Sequence, residues 1–496
     1  MGTQSCELTL HSLHRRHIIN ANATVIPTIP GTNPILLSGA PAGLLVYQMP
    51  TAGLGDHSYL LSDGTAAAVI DPQRDLDRFE SGLAALGVPL AAVAETHVHN
   101  DYISGGRALS RRHSATYVLP ADAGYRFDHH AVRDGDEFAV GDLVVRAMHT
   151  PGHTPHHTSY VVLADGEVVL VFSGGCVLVG ACGRTDLVSA ERTEGLTRDQ
   201  YRSANRILAL ADPVAIGPTH GKGSFCAASA ASMETYTSVG AEHGRNPAAL
   251  AKDEDAFVQG QLAGLLAYPA YYSKMAGFNV EGPDSWEPVE MTALSADQVA
   301  DREQAGAVIV DGRPRHEFAA RHIPGSVNIE LDDNFSTYLG WLFPFGTRFV
   351  VVTSPDANPI DAVRQSARIG IETIEGYLDG GISAWDRSGR PLRSYSVTDV
   401  DGLKQAMDAG DVRVLDVRQD LEWSDGHVPD AVHIHVPEIR DRVKELADSP
   451  APVYVICRTG HRASMAASVV DAAQIPTVLV DGGFPDWAER GYPVQA

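Results

Sequence analysis

Residues 95–106 read ETHVHNDYISGG and follow the apolar run AAVA, which is typical of a buried strand. Two histidines, His97 and His99, stand two positions apart just past that strand. They can meet at one cation only where the chain turns, and the pair Asn100 and Asp101 favours a turn. This stretch therefore predicts a metal site at the end of a strand.

Two later stretches offer further imidazoles. Residues 149–160, HTPGHTPHHTSY, place His153 in a Pro/Gly turn, and residues 218–225, PTHGKGSF, contain His220. Neutral imidazole suits Zn²⁺ or Fe²⁺, so a joint site is favoured over three solvated surface histidines at positions 97, 99 and 153. Two other histidines of residues 149–160, His156 and His157, are interpreted as solvated surface side chains.

The flanking sequence divides into segments. Between residues 44 and 72, apolar runs alternate with Gly/Asp turns, as in the strands of a β-sandwich. Residues 247–275 look helical, and EGPDSWEP at 281–288 has the composition of a linker. We therefore expect a mobile tail over residues 1–40, a metal domain over 41–243, and a helical extension and linker over 244–289.

Beyond the linker lies an internal repeat with a period of about 105 residues. VIVDGRPRHEFAARHIPGSVNI at 308–329 aligns with VLDVRQDLEWSDGHVPDAVHI at 414–434. In each copy, short apolar runs alternate with helix-like segments, which is the pattern of a parallel sheet covered on both faces. We expect two α/β domains, over residues 290–395 and 396–496.

In the second copy the strand-like VYVI runs into CRTGHRAS, residues 457–464. Backbone N–H groups and the positive end of the following helix would then face Cys457, while Arg458 and Arg462 add positive charge. Gly460 lets the loop curl around the sulfur, so the same N–H groups can hold a persulfide or an anionic donor such as thiosulfate. The loop predicts a reactive thiolate that accepts and passes on sulfur.

The first copy has no cysteine at the corresponding place, because the sequence contains none between Cys226 and Cys457. The repeat offset puts Ser354 or Pro355 there. Without a thiol this copy cannot form a persulfide, so we expect it to be a structural spacer or a docking module. The residues that it shares with the second copy would then maintain the fold; they include Asp311, Arg313 and His322.

Composition limits the remaining classes of function. The formal net charge is −24 and no Lys/Arg block could attract a phosphate backbone, so nucleic acid is not expected as a partner. No apolar run approaches the roughly 18 residues of a membrane span, so no membrane partner is expected either. The five cysteines are scattered and form no CxxC pair, which favours a reducing, cytoplasmic location.

The last part of the chain resembles the rhodanese family through DVR at 416–418, GHVP at 426–429, the Cys457 loop and a DGG-x-x-x-W ending. The resemblance implies that Cys457 is the nucleophile of a sulfurtransferase, in a loop completed by Arg458, Gly460 and Arg462. Related arsenate reductases and phosphatases have a longer loop, so sulfur transfer is favoured. The first copy is then a rhodanese-like domain that lacks the catalytic cysteine.

Residues 44–240 resemble the metallo-β-lactamase superfamily, because the HxHxD motif, the TPGHTP turn and the PTHG histidine occur in that order. GACGRTDL at 180–187 is similar to a segment of its persulfide dioxygenase and glyoxalase II branch, and fusion to rhodanese domains is known for persulfide dioxygenases. The resemblance implies an αββα sandwich and oxidation of a thiol persulfide by O₂ at a mononuclear Fe(II). Arg184 would bind the carboxylate of the thiol carrier, unless it forms a structural salt bridge to Asp186 or another acid.

Two positions depart from the pattern of that branch. FSGG at 172–175 puts Gly175 where a metal-ligating carboxylate is usual, and Tyr102 replaces the last histidine of HxHxDH. A second metal site and a dinuclear hydrolase are therefore disfavoured. We expect one transition metal per chain, with Fe(II) favoured and Zn(II) as the alternative. The expected ligands are His97, His99 and His153, with Asp101 and His220 as nearby proton-transfer groups or replacement ligands.

The leading hypothesis is an enzyme of persulfide or thiosulfate metabolism, in which Cys457 carries sulfane sulfur and the metal site oxidises a thiol persulfide. Its partners would be a low-molecular-weight thiol persulfide, thiosulfate or sulfite, and a homo-oligomer is compatible with the sequence. One alternative is a zinc-dependent thioester hydrolase of the glyoxalase II type with an accessory sulfurtransferase domain. Another is a non-catalytic metal domain that serves as a scaffold for the rhodanese.

Overall fold

The computed structural model describes residues 18–19, 25–37, 41, 43–228, 232–410 and 412–496. Most of the tail expected over residues 1–40 lies outside the described residues. Part of what is described packs onto the first domain: Ile29 and Ile35 are buried, and the Tyr47 hydroxyl donates to the Pro27 carbonyl at 2.8 Å. Within these ranges, no helix combines the length and the apolar character needed to cross a membrane.

The first domain is built on two sheets that face each other. Tyr59 and Ile70 of one sheet pack with Tyr160 and Phe172 of the other in a single buried apolar cluster. In the described part of the chain, the first sheet has seven strands, in spatial order Asn33–Pro34, Leu45–Thr51, Asp56–Ser62, Ala67–Ile70, Leu90–Ala94, Thr116–Pro120 and His130–Val132. The second has six, in the order Glu137–Val140, Leu143–His149, Thr158–Ala164, Glu167–Gly174, Ala215–Pro218 and Thr237–Ser238.

Helices cover the outer faces of both sheets. Phe79 and Leu109, from the helices Asp77–Leu86 and Gly106–His113, pack on the first sheet. Ile207, from Ala190–Leu208, packs on the second. This arrangement confirms the αββα sandwich. Shorter elements complete the domain and its extension: strand pairs Ile18–Ile19 with Val25–Ile26 and Val177–Leu178 with Ala181–Cys182, and helices Val239–Glu242, Pro247–Leu250, Glu254–Ala263 and Tyr272–Glu281.

The two repeats form two parallel sheets with the same strand order, which confirms the predicted rhodanese-like α/β domains. The first sheet runs Ala293–Leu294, Ile374–Leu378, Phe349–Val352, Val308–Asp311 and Val327–Asn328. The second runs Ser396–Thr398, Thr477–Val480, Val453–Ile456, Arg413–Asp416 and Val432–His433. Their α-helices are Ala296–Gln304, Arg315–Ala320, Phe335–Leu342, Ile360–Arg368 and Gly381–Arg387 in the first copy, and Val400–Ala409, Asp420–Ser424, Ile439–Arg442, His461–Ala472 and Phe484–Glu489 in the second.

Strand register corrects the repeat alignment at the end of the central strand. Val352 pairs with Asp311 in the first copy, and Ile456 pairs with Asp416 in the second. The next residue, Thr353, therefore occupies the place of the cysteine, and the expectation of Ser354 or Pro355 was wrong. The two loops differ in length, so counting along the repeat misplaced the position.

The three domains share one apolar cluster. It includes Tyr102 and Cys226 of the metal domain, Val351 of the first copy, and Leu415 and Cys457 of the second. Polar contacts reinforce these interfaces: the Ile103 N–H donates to the Arg368 carbonyl at 2.7 Å, Arg368 pairs with Asp75 at 2.7 Å, and His322 lies 3.1 Å from Asp471.

The extension expected over residues 244–289 helps to hold the metal domain. The Asn279 side-chain amide donates to the carbonyls of His99 and Tyr102, at 2.9 and 2.8 Å. Its carbonyl accepts the Ser104 N–H at 2.8 Å. This buried asparagine therefore fixes the loop that carries the HxH motif.

Candidate functional site

Three buried imidazoles meet at the edge of the sandwich. One ring nitrogen from each of His97, His153 and His220 lies within 4.8 Å of the others. The Nε2 atoms of His97 and His220 are 3.4 Å apart, and His153 Nε2 is buried without a hydrogen-bond partner among the described residues. Buried polar atoms are nearly always paired, so an orphan imidazole nitrogen beside two others fits a cation site.

Each of these rings is anchored through its other nitrogen. Such contacts fix the ring orientation and leave Nε2 facing the group, as in protein metal sites. The Nδ1 partners are Thr96 Oγ1 for His97 at 2.8 Å, the Arg184 carbonyl for His153 at 2.7 Å, and Asp56 Oδ1 for His220 at 2.9 Å. Burial lowers the pKa of His153 to about 3 and that of His97 well below its usual value, so both rings are neutral and can bind a metal.

His99 lies beside His97, with ring centroids 4.2 Å apart, but its Nε2 faces two carboxylates. Its Nε2 is 3.0 Å from Glu95 Oε2 and 3.3 Å from Asp71 Oδ1. Burial opposes a charged ring, but these two carboxylates outweigh it and raise the pKa of His99 to about 10. The three-imidazole group contains His220, which the sequence offers as a replacement ligand. The His99 Nδ1, like His153 Nε2, is buried without a hydrogen-bond partner within the described ranges, so it too is open to a cation, whose binding would release a proton from the ring.

Asp101 lies behind His220, on the side away from the other two imidazoles. Its Oδ2 is 3.2 Å from His220 Nδ1 and accepts from Cys226 Sγ at 3.4 Å. Burial opposes a charged ring at His220 too, yet Asp101 and Asp56 raise its pKa to about 9. Asp101 therefore orients the His220 ring. Cys226 belongs to the same network, and only its position six residues after His220 points to this in the sequence.

Gly175 is closed to any side chain. A Cβ at this position would lie 2.3 Å from His153 Cδ2, because the imidazole fills the space that a carboxylate would need. The Gly175 N–H donates to His157 Nε2 at 2.9 Å, and His157 Nδ1 lies 2.9 Å from Thr150 Oγ1. His157 is fully buried, so its assignment to the surface was wrong; it supports the chain beside the imidazoles.

Tyr102, at the last position of the HxHxD motif, completes the surroundings of His99. Its hydroxyl is 3.0 Å from His99 Nε2 and donates to the Asp71 carbonyl at 3.2 Å. The phenol thus stands at the motif position where related sequences carry a histidine. No second imidazole ligand is supplied from this position.

Arg184 forms a structural salt bridge, which is the alternative to its predicted substrate-binding role. Its Nε and Nη2 donate to the Asp186 carboxylate at 2.7 and 2.8 Å. Further donors contact the carbonyls of Phe225 at 2.9 Å and Leu266 at 2.8 Å, and the guanidinium lies over the Tyr268 ring. With the side chain buried and these donors occupied, Arg184 is committed to internal contacts rather than to a ligand.

A cavity of about 380 Å³ opens beside the HxH loop. Its wall includes Val98 and Asn100 from that loop and Thr154 from the loop of His153. The remaining wall is largely apolar, with Leu187, Val188 and Tyr272 among its residues. A cavity of this size can hold a small molecule, and Val98 and Thr154 in its wall are sequence neighbours of His97 and His153.

Cys457 lies between the strand Val453–Ile456 and the helix His461–Ala472, as the sequence predicts. The side chain is buried, and the Gly460 N–H donates to its Sγ at 3.1 Å. Gly460 has φ +92°, a left-handed conformation that favours glycine, and this conformation brings its N–H to the sulfur. The helix N-terminus adds positive potential at the same atom.

The two arginines of this loop differ in their surroundings. Arg462 makes a bidentate pair with Glu422, at 2.5 and 2.9 Å, and is largely buried beside the loop. Burial alone would lower its pKa, but Glu422 and Cys457 hold the pKa above the usual value, so the charge is fixed. Arg458 is exposed to solvent. Both guanidinium groups are permanently charged, and Arg462 is the one that Glu422 holds in a fixed position beside the loop.

Comparison with known proteins agrees with this architecture. The metallo-beta-lactamase superfamily model matches residues 53–220, and the rhodanese-like domain model matches residues 295–388 and 399–490. The mitochondrial persulfide dioxygenase ETHE1 of Bos taurus is 30% identical over 188 residues, covering 37% of this chain and 70% of the relative. The probable polyketide biosynthesis zinc-dependent hydrolase BaeB of Bacillus velezensis is 31% identical over 179 residues, covering 34% and 74%.

Among solved structures, a metallo-beta-lactamase from Staphylococcus aureus subsp. aureus COL matches with a TM-score of 0.61 and 26% identity. The match covers 68% of this chain and 98% of that structure, so it extends beyond the sandwich. The chain therefore belongs to the metallo-beta-lactamase superfamily, as a persulfide dioxygenase-like member that carries two rhodanese-like domains.

Proposed function

We propose that this chain is an enzyme of persulfide or thiosulfate metabolism, with sulfurtransferase activity at Cys457 and a mononuclear metal site that processes a thiol persulfide. The Cys457 loop carries the proposal. Its sulfur is buried, accepts the Gly460 N–H at 3.1 Å, and lies beside the fixed charge of Arg462. Such surroundings stabilise a sulfur anion, whether thiolate or persulfide.

Sulfur transfer at this loop needs no oxidant or reductant. The Cys457 thiolate attacks the outer sulfur of thiosulfate, the S–S bond of the donor breaks, and sulfite leaves with the bonding electron pair. The outer sulfur of the resulting persulfide then passes to a nucleophile such as a thiolate or cyanide, and the Cys457 thiolate leaves. The Gly460 N–H stabilises the charge on Sγ in the first and last states.

The imidazole group would hold the metal of the persulfide-processing half. His97, His153 and His220 are its ligands in this proposal, and Fe(II) would supply a centre for O₂ chemistry. The protein itself orients the three rings through their Nδ1 contacts, and keeps His97 and His153 neutral by burial. The name of the Bos taurus relative, persulfide dioxygenase, supports this assignment.

A zinc-dependent hydrolase of thioesters is the second candidate for this half. Three imidazoles without a carboxylate at position 175 are a ligand set that Zn²⁺ accepts with one open position for water. The name of the Bacillus velezensis relative, a zinc-dependent hydrolase, supports it. In this case the sulfurtransferase domain would be an accessory.

One set of measurements on the purified chain separates the candidates. We expect about one equivalent of iron, O₂ consumption and sulfite release with glutathione persulfide, and transfer of one sulfur atom from thiosulfate to Cys457 by mass spectrometry. Zinc with thiol release from S-lactoylglutathione would favour the hydrolase, and well under one equivalent of metal would favour a scaffold.

His153→Ala links these activities to the imidazoles. We expect it to lose bound metal and persulfide oxidation while sulfur loading of Cys457 continues. His149→Ala is the matched control, because His149 lies in the same stretch but is exposed. Full metal content in His153→Ala would contradict the assigned ligand set.

A further inference from the structure

A side chain of the cysteine-less copy reaches into the Cys457 loop. Arg315 Nη1 donates to the Thr459 carbonyl at 2.8 Å. That carbonyl and the Gly460 N–H are the two ends of one planar peptide group. Since the Gly460 N–H donates to Cys457 Sγ at 3.1 Å, the guanidinium is connected to the sulfur through a single amide.

Arg315 is itself held rigidly. Its Nε and Nη2 donate to the two oxygens of Glu330, at 3.0 and 2.8 Å, and Glu330 Oε1 also accepts the Arg315 backbone N–H at 2.7 Å. Burial would raise the pKa of Glu330, but Arg315 holds it below the usual value, so the pair is ionised. Glu330 Oε2 lies 3.4 Å from His461 Nε2, which joins the same pair to the first residue of the following helix.

The two copies fit closely at this point. A Cβ on Gly460 would lie 2.0 Å from Arg315 Nη1. The glycine is thus required by its φ of +92° and also by the guanidinium packed against it. A contact this close cannot form unless the first copy is docked in one position.

We propose that Arg315 is a positioning residue for sulfur transfer, which fixes and polarises the Thr459–Gly460 peptide so that its N–H stabilises the anionic sulfur of Cys457. The inference rests on the proposed function of Cys457. A hydrogen bond at the carbonyl end of an amide strengthens its N–H as a donor. The cysteine-less copy is therefore part of the transfer machinery, although it has no thiol of its own.

The test compares variants by two readouts on the full chain. For Arg315→Gln we expect about a tenfold fall in kcat/KM for thiosulfate, the size expected for one charge-assisted hydrogen bond. The rate of Cys457 alkylation by iodoacetamide, followed on the Cys457 peptide by mass spectrometry, should fall by about the same factor. Arg315→Lys, which keeps the charge and a donor for Thr459, should recover most of both rates.

Arg321→Gln is the matched control, because Arg321 lies in the same copy and its Nη1 pairs with Asp386 rather than with the loop. It should leave both rates unchanged. An unchanged alkylation rate in Arg315→Gln, or Arg315→Lys no better than Arg315→Gln, would overturn the proposal and leave Arg315 as a docking residue. If Arg315→Gln does not fold, Arg315→Met replaces it in the comparison. Equal alkylation rates in Arg315→Lys and a folded Arg315→Met would then overturn the proposal.

Alkylation reports on the sulfur without requiring any sulfur donor. If wild-type Cys457 takes no sulfur from thiosulfate, the proposed function fails. The alkylation ratio between Arg315→Gln and wild type would still decide the role of Arg315.

Discussion

The two rhodanese-like copies share a strand order and a buried ion pair, but only one has a thiol at the end of its central strand. Arg313 pairs with Asp311 at 2.6 Å in the first copy, and Arg418 pairs with Asp416 at 2.7 Å in the second. Residues 457–460 separate strand from helix in the second copy, whereas the longer, proline-containing segment 353–359 does so in the first.

This difference separates the residues that maintain the fold from those that perform chemistry. The ion pair and the strands persist in both copies, so the domain does not depend on its nucleophile. The short loop is found only where the Gly460 N–H has a sulfur to contact. The first copy can thus lack a thiol and still contribute to sulfur transfer, through the side chains that contact the second copy.

The largest effect is expected from Cys457→Ala. Because no other thiol lies in either repeat, sulfur transfer from thiosulfate should be lost completely, while bound metal stays at the wild-type level. Thr353→Ala, at the equivalent position of the first copy, should leave transfer unchanged. Residual transfer in Cys457→Ala, measured as thiocyanate formed from cyanide, would contradict the role given to this residue.

Arg418→Met and Arg313→Met test the feature that the copies share. Each leaves a fully buried carboxylate without its partner, so each should cost about 3–5 kcal/mol of unfolding free energy. Urea unfolding followed by circular dichroism measures the loss. A much smaller loss in the first copy would show that its ion pair is not equivalent to that of the second.

Gly460→Ala tests the loop that the copies do not share. The new methyl group would meet the Arg315 guanidinium in a left-handed conformation, so sulfur transfer should fall about tenfold or more. Gly491→Ala is the control, because Gly491 has φ +70° but open space where a Cβ would lie. Equal effects of the two substitutions would indicate backbone strain alone and no specific contact.

The smallest effect concerns the docking of one copy on the other. Burial would raise the pKa of Asp471, but His322 and Arg393 of the first copy hold it below its ordinary value of 3.8. A carboxyl group whose pKa is lower in the folded state than in the unfolded state stabilises the fold at pH values above its unfolded-state pKa. This stabilisation is lost as the pH falls through the folded-state pKa. Thermal unfolding between pH 6 and about 3 should therefore show an acid-dependent decrease that is smaller in Asp471→Asn.

Much of the fold was accessible from the sequence. The parallel sheets followed from apolar periodicity and the internal repeat, and the αββα sandwich from the resemblance to the metallo-β-lactamase superfamily. The structure brings His97 and His153 together as expected. The carboxylate contacts of His99 were not accessible, because Asp71 follows a different strand and meets that ring only after the sheet forms. The adjacent histidines His156 and His157 give no indication in the sequence of which ring is buried. The prediction that His157 lies on the surface was therefore wrong.

The contacts between copies were the hardest to foresee. Arg315 belongs to a stretch that the repeat alignment treats as ordinary helix, and nothing in the linear sequence connects it with Thr459. Likewise, only the pairing of the strands identifies Thr353, rather than Ser354 or Pro355, as the counterpart of Cys457. The first contact arises from packing between domains and the second from pairing between strands, and local sequence patterns report on neither.

The apolar cluster that joins the metal domain to both repeats has a consequence for handling the protein. Phe225 of the metal domain contacts Trp341 of the first copy, and Trp341 contacts His435 of the second, with ring centroids 4.8 and 5.4 Å apart. A protease that cleaves the peptide backbone within residues 281–288 would therefore leave two fragments that still co-elute. Separating the two fragments should require denaturant. On a size-exclusion column, the cleaved protein would therefore elute at the same volume as the intact protein.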